Sequence, residues 1–172
     1  MYAGDTKNWF HRFGKLALAL TLVVVVLGAF VRLSDAGLGC PDWPGCYGLL
    51  DVPESHQEIS QANEAFPERP VEPAKAWKEM IHRYAASMLG LLILMMCALA
   101  WWRKRSEPEQ PVILPTFLVF MVIFQGLLGM WTVTLLLKPA VVSAHLMGGL
   151  TVLGLLWWTL MRQGNYFAPS SI

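Results

Sequence analysis

The sequence predicts an all-α membrane protein: a four-transmembrane-helix bundle with one long loop between helices 1 and 2. Three observations predict it. The 172-residue chain is 55% hydrophobic and only 15% charged, whereas about a quarter of a soluble domain is normally charged. Its apolar residues fall in long blocks and not at a helical or strand period. Four of these blocks reach or approach the roughly 20 residues that a helix needs to cross a bilayer core. They lie near Phe13–Val31, Ile81–Trp102, Val112–Leu137 and Ala140–Met161. Lipid offers the backbone no hydrogen-bond partner, so segments that cross it are helices. Residues 1–172 are therefore read as a single four-helix domain in contact with membrane lipid. The net charge of +1 gives no electrostatic case for nucleic acid.

Each element has its own justification. Lys7, Arg12 and Lys15 precede an apolar run from Leu16 to Val31. That run is long for the core of a cleaved signal peptide and no A-x-A site follows it, so an uncleaved helix is expected. Pro73 can occupy the first turn of a helix, where its missing N–H costs nothing. The second helix should thus begin near Pro73 and enter the membrane near Ile81. Pro115 is tolerated at the start of the third span for the same reason. Only Lys138-Pro139 separates spans three and four, which makes them a tight antiparallel hairpin. In the loop of residues 33–78, Gly37, Gly39, Pro41, Pro44, Gly45 and Gly48 exclude regular structure around Cys40 and Cys46. A short surface helix is expected over Glu54–Ala65. Trp101-Trp102 and Trp157-Trp158 sit where a span gives way to basic residues, as interfacial anchors do. A faint echo links Leu27-Gly28 and Phe30 in span one with Leu128-Gly129 and Trp131 in span three; each of these spans precedes one that carries a histidine.

Lysine and arginine set the expected orientation. Lys7, Arg12 and Lys15, then Arg103-Lys104-Arg105, then Arg162 fall on one side, read as cytoplasmic. The long loop falls on the other side, read as periplasmic. Two cysteines in a water-exposed loop suit that oxidising compartment. The expectation is a multi-pass protein of a bacterial cytoplasmic (inner) membrane with both termini inside.

His82 and His145 are the informative pair, because ionisable residues within spans are costly and usually mark function. Each lies near the start of a span running from outside to inside. Counted inward to Arg103 and Arg162 the separations are 21 and 17 residues, a disagreement of roughly 6 Å at helical rise. Two imidazoles facing each other across a bundle form a natural axial pair for haem iron. The competing reading is that each only hydrogen-bonds a neighbouring helix. Glu79, three residues before His82, shares its helix face. It can orient the imidazole, act in proton transfer, or simply sit in interfacial water. Arg32 and Arg83 at the same level suit the propionate carboxylates of a haem, or snorkel to the interface. Cys40 and Cys46 lack both the C-x-x-C-H pattern and the second pair that a zinc site needs. A disulfide between them should stabilise by roughly 2–3 kcal/mol in the chain-entropy picture; it could be structural or redox-active. Cys97 reads as a buried small side chain, and Gln125 as a packing residue or a contact to a haem edge.

These motifs resemble the haem A synthase family. Gly28-Ala-Phe-Val-Arg-Leu and Gly37-Leu-Gly-Cys-Pro-Asp-Trp-Pro-Gly-Cys-Tyr-Gly48 are similar to its first span and outer loop, in the bacterial form with the cysteine pair. Glu79-Met-Ile-His-Arg83 resembles its E-x-x-H-R motif. Gln125-Gly-Leu-Leu-Gly-Met-Trp-Thr-Val133 and His145-Leu146 resemble its third and fourth spans. The resemblance implies oxidation of the C8 methyl of haem O to the formyl group of haem A, during biogenesis of haem-copper oxidases. It implies haem O as substrate, haem b as a resident group, and His82 and His145 as iron ligands. Glu79 would be the catalytic carboxylate, and Cys40 and Cys46 the loop pair. Family members have two similar four-helix halves, so this chain matches the N-terminal half. The second half would then belong to a longer protein of which this is a fragment, to a separate chain, or to a second copy in a homodimer, with the haem O-producing enzyme and oxidase assembly proteins as further partners. The alternative is a non-catalytic bis-histidine b-type membrane cytochrome for electron transfer. A structural subunit with no cofactor is the third reading.

Overall fold

The computed structural model describes residues 3–163, with side chains from Trp9 to Arg162; the Lys7 side chain counted above lies outside the described residues. Five helices run along the chain: α1 (Ala3–Leu33), α2 (His56–Ala65), α3 (Pro73–Lys104), α4 (Ile113–Thr134) and α5 (Pro139–Gln163). All but α2 are long and apolar enough to cross a membrane, with mean hydropathy between 1.7 and 2.6 over their most apolar stretches. The protein is a multi-pass membrane protein.

α1, α3 and α5 exceed the apolar blocks that announced them, and α4 falls short of its own. A span ends where lipid ends, but a helix continues while its residues tolerate it. α3 thus starts at Pro73 in its first turn, eight residues ahead of Ile81. The third block was read to Leu137, but α4 closes at Thr134, because Leu136 and Leu137 adopt left-handed backbone angles of φ 53° and 55°. Their N–H groups donate to the carbonyls of Val133 and Thr132, turning the chain into α5.

α1 packs on α3 and α5, and α4 packs on the same two helices, whereas among the described residues the backbones of α1 and α4, and of α3 and α5, do not approach closely. The bundle is therefore a square with α3 and α5 on one diagonal. Neighbours are antiparallel. Gly14 of α1 lies against Met96 and Leu160, and Gly28, further along, lies against His82.

Two apolar clusters bracket the bundle. At the end away from the loop, Phe10, Ala17, Leu89, Ile93, Met96, Leu118, Val152 and Leu156 are buried together. At the loop end, Cys40, Cys46, Tyr47, Val52 and Ala62 pack on Ala76 and Met80 of α3. Elsewhere the large side chains of the spans, such as Leu22, Leu94, Phe120 and Trp157, point outward, as lipid-facing residues do.

The loop is held by polar detail. Cys40 and Cys46 form a disulfide. Asp42 accepts the N–H groups of Tyr47 and Gly48, both at 2.7 Å. Ser55 and Glu58 form a capping box that starts α2. Backbone N–H to side-chain hydroxyl and side-chain carboxylate to backbone N–H are both satisfied there; those backbone donors hold Glu58 below the ordinary carboxylate pKa. Trp77 Nε1 donates to Glu54 at 2.9 Å and the Tyr84 hydroxyl to the Leu50 carbonyl at 2.8 Å, tying the loop to α3. At Gly39 an added Cβ would lie 2.6–2.8 Å from the backbone of Lys75 and Ala76, so only glycine lets the loop rest on the first turn of α3.

The α4–α5 turn generates a prediction. Leu136 is 61% exposed, whereas Leu137 packs on Gly37 of the loop. Left-handed backbone costs an L-residue roughly 1–2 kcal/mol, partly offset by the extra chain entropy of glycine. Leu136→Gly should therefore stabilise the protein by about 0.5–1 kcal/mol in thermal unfolding. Leu137→Gly should gain nothing, because it loses its contact with the loop.

Candidate functional site

Residues at intervals of three and four share one face of a helix. Glu79, His82 and Arg83 therefore project together from the second and third turns of α3. α5 starts at Pro139 and presents His145 at a comparable distance from its own start. Because α3 and α5 run in the same direction on a diagonal of the square, both histidines come to one level, between the two apolar clusters. Their ring centres lie 6.4 Å apart and their planes cross at 88°. The 6 Å mismatch in the inward counts is thus absorbed by unequal helix ends. Nδ1 of each ring is buried without a hydrogen-bond partner.

Glycines on the other diagonal make room for the rings. A Cβ at Gly28 of α1 would lie 3.0 Å from Cε1 of His82, and one at Gly129 of α4 would lie 3.5 Å from Cε1 of His145. The Leu-Gly echo between spans one and three therefore has a structural meaning: each glycine backs the histidine of its own hairpin.

Glu79 is 5% exposed, and both of its oxygens are held. Oε2 accepts the backbone N–H of Cys40 at 3.1 Å. Oε1 accepts from Nη2 of Arg83 in an ion pair. The Arg83 guanidinium also donates to the carbonyls of Asp42 (3.0 Å), Pro44 (3.1 Å) and Gly45. The interfacial-water reading of Glu79 does not hold, because the loop folds over it. Arg83, read as a propionate partner or a snorkelling side chain, has both terminal nitrogens engaged by the loop and by Glu79. Arg32 is exposed at the end of α1. Gln125 packs on Gly148, one turn along α5 from His145, and its Nε2 is buried without a partner. Cys97 is a free thiol, with Sγ 3.6 Å from the Thr116 hydroxyl at the far end of the bundle.

Asp42 was missed by sequence reasoning, although it shapes the loop through its carboxylate and grips Arg83 through its carbonyl. The signal was present in Cys-Pro-Asp-Trp-Pro-Gly-Cys, since aspartate side chains readily accept nearby backbone N–H groups in turns.

Chemically, the site offers two imidazoles and one shielded carboxylate. Among the described residues no group of three or more His, Cys, Asp or Glu side chains could hold a metal ion. Two facing imidazoles suit a metal whose remaining positions are filled by a macrocycle. An imidazole nitrogen binds a first-row metal at about 2 Å and its ring centre lies about 1 Å further back, so an axial pair has centres roughly 6 Å apart. The observed spacing fits.

Comparison with known proteins bears on the same residues. Residues 11–170 match the family described as COX15-CtaA, cytochrome oxidase assembly protein. The chain belongs to this family. A relative named heme A synthase from Shewanella oneidensis is 51% identical over 148 residues, covering 86% of this chain and 44% of the relative. Proteins of the same name from Shouchella clausii and Halalkalibacterium halodurans are 30% and 28% identical, covering 78% and 77% of this chain and 39% of each relative. The chain thus spans under half the length of these family members. No solved structure matches it at a significant level.

The loop beside the site carries a pH signature. Burial first, then the negative charge of Glu72, raises the Tyr47 phenol above its ordinary value of 10.0. The fold favours the neutral phenol, so its contribution is complete below the unfolded pKa and is lost as pH rises through the higher folded value. An ultraviolet titration should contain a tyrosine step above the ordinary phenol value, and Tyr47→Phe should remove that step.

Proposed function

We propose that His82 and His145 hold a haem between α3 and α5, and that this bundle is the substrate-haem half of a haem A synthase. The reading is carried by the facing imidazoles: a 6.4 Å separation, glycines behind both rings, and, among the described residues, no third His, Cys, Asp or Glu grouped with them as a metal site. It is supported by the family to which the chain belongs and by the name its relatives carry. When bound, the haem supplies the iron centre and the methyl group to be oxidised to a formyl group. The chain's own residues do the rest. The imidazoles fix the macrocycle, the Cys40–Cys46 loop closes over the site and excludes water, and Glu79 offers a carboxylate oxygen as proton acceptor one turn from His82. Shielding from water strengthens such a group's interaction with developing charge.

The orientation belongs to the same proposal. Arg103, Lys104, Arg105 and Arg162 lie at one end of the bundle and the disulfide loop at the other. This supports both termini in the cytoplasm of a bacterium, with the loop on the outer face of the inner membrane. The partner is a second four-helix half, whether joined to this one in a longer protein, carried on another chain or supplied by a second copy. An even number of spans gives either partner the same orientation, and a two-fold pair then mimics a two-half protein.

A second reading has one observation in its favour. Two histidines on one iron leave no open coordination position, as in an electron-carrying b-type cytochrome. The two readings part on product. Supplied with haem O and an electron acceptor that takes up the electrons released as methyl and water become formyl, and with the second half present, wild type should yield haem A in extracted pigment. Glu79→Gln should retain haem and form none. Haem A at the wild-type level from Glu79→Gln would remove the carboxylate from the mechanism, and none from wild type would favour the electron carrier.

Haem typing tests the ligands directly. His82→Ala and His145→Ala should each lose the bis-histidine spectrum, and a reduced-minus-oxidised spectrum without any haem signal in wild type would end both readings. Gly28→Ala pushes on His82 at 3.0 Å, whereas the contact at Gly129 is of ordinary length. Gly28→Ala should therefore weaken haem retention, while Gly129→Ala should leave it near wild type.

A further inference from the structure

By residue type Arg83 suits a haem carboxylate or snorkels to the interface, and its surroundings point to a third role. Nη1 donates to the carbonyls of Pro44 and Gly45, and Nη2 donates to the carbonyl of Asp42 and to Glu79. Three of these four acceptors lie inside the Cys40–Cys46 loop. The fourth, Glu79, uses its other oxygen to accept the N–H of Cys40. The result is a closed circuit from carboxylate to guanidinium, to loop carbonyls, to Cys40 and back to the carboxylate. Its two charged side chains are 12% and 6% exposed.

We propose that Arg83 is a positioning residue that fixes Glu79 by pinning the disulfide loop over it, and not a counter-ion for a bound haem. Three properties of the circuit carry this. A planar fork with paired terminal donors reaches a carboxylate and three carbonyls at once, which a lysine ammonium cannot. Removing the fork leaves a buried carboxylate without its cation and buried carbonyls without donors, both costly. The circuit closes only while the loop keeps its shape, so the coupling is reciprocal: the intact loop holds Glu79, and the Glu79–Arg83 pair protects the loop. The proposal deepens the reading of Glu79 as the proton acceptor at the haem and rests on it for its catalytic meaning.

The test uses the full chain in lipid nanodiscs as wild type, Arg83→Gln, Arg83→Lys, Glu79→Gln and the Glu79→Gln/Arg83→Gln pair. One readout is the rate at which dithiothreitol opens Cys40–Cys46, followed by maleimide labelling against the constant Cys97 thiol. The second is the infrared carboxylate band of Glu79, identified by its loss in Glu79→Gln. The third is affinity for added haem. Arg83→Gln should speed disulfide opening about tenfold, and Arg83→Lys should not rescue it. The carboxylate band should move in both arginine variants. The double variant should open no faster than Arg83→Gln alone, because both side chains belong to one circuit. Haem affinity should stay within about twofold of wild type, far from the 1.4 kcal/mol that marks a tenfold change.

An unchanged opening rate and an unmoved band in folded Arg83→Gln overturn the proposal, as do additive effects in the double variant. Haem binding weakened tenfold or more with the disulfide unaffected, on the same scale, also overturns it and returns Arg83 to the haem carboxylate. Should Arg83→Gln fail to fold, the charge-conserving Arg83→Lys decides by the same two readouts. Wild type that binds no haem defeats the proposed function, while the disulfide and infrared measurements still decide whether Arg83 fixes Glu79.

Discussion

The backbones of α3 and α5, the helices that carry the histidines, stay apart across one diagonal of the square, and only side chains bridge them. Close helix packing runs along the sides, through α1 and α4. The distance between the imidazoles is therefore set by these walls together with the side chains that meet between the diagonal helices. Glycine at positions 28 and 129 lets each wall approach its histidine closely. A Cβ at position 28 would press on the His82 ring, whereas one at position 129 would meet His145 at ordinary contact distance. The apolar cluster at the far end fixes the spacing from below, since Met96, Ile93 and Leu156 fill the interior there.

Above the histidines the structure changes character, from packing of apolar side chains to a dense polar lattice. Backbone groups in a buried loop must find partners, and this loop finds them in Asp42, Glu79, Arg83 and Tyr84. The cost of burying a charged pair is offset only when further hydrogen bonds satisfy both members, a condition that the loop carbonyls and the Cys40 N–H fulfil. The same bonds that make the pair tolerable also cover the histidine level, so shielding of the site and stability of the loop come from one set of contacts.

The spans, the hairpin, the early start of α3 at Pro73 and the surface helix after the cysteines were all legible in the chain. Each rests on local signals: apolar length, proline position, or a capping serine with glutamate three residues on. The histidine pair was legible as a pair, although its distance was not, because helix ends and tilts are settled by packing. Arg83 shows where local reading runs out. Its residue type suits any carboxylate or carbonyl, and only the folded loop reveals which acceptors it meets. The role of Asp42 was hidden for the same reason. The Leu-Gly echo was visible but had no meaning until each glycine was seen against a ring.

A square of rods joined chiefly along its sides resists shear through whatever spans its diagonals, since shortening one diagonal lengthens the other. The gap between the two imidazoles is one of those diagonals. Across it only side chains meet: the two rings at one level, and Ile93, Met96, Val152 and Leu156 buried together further down. A rigid plate wedged between the rings would brace the frame, so occupancy at the centre would be felt as stiffness at the rim.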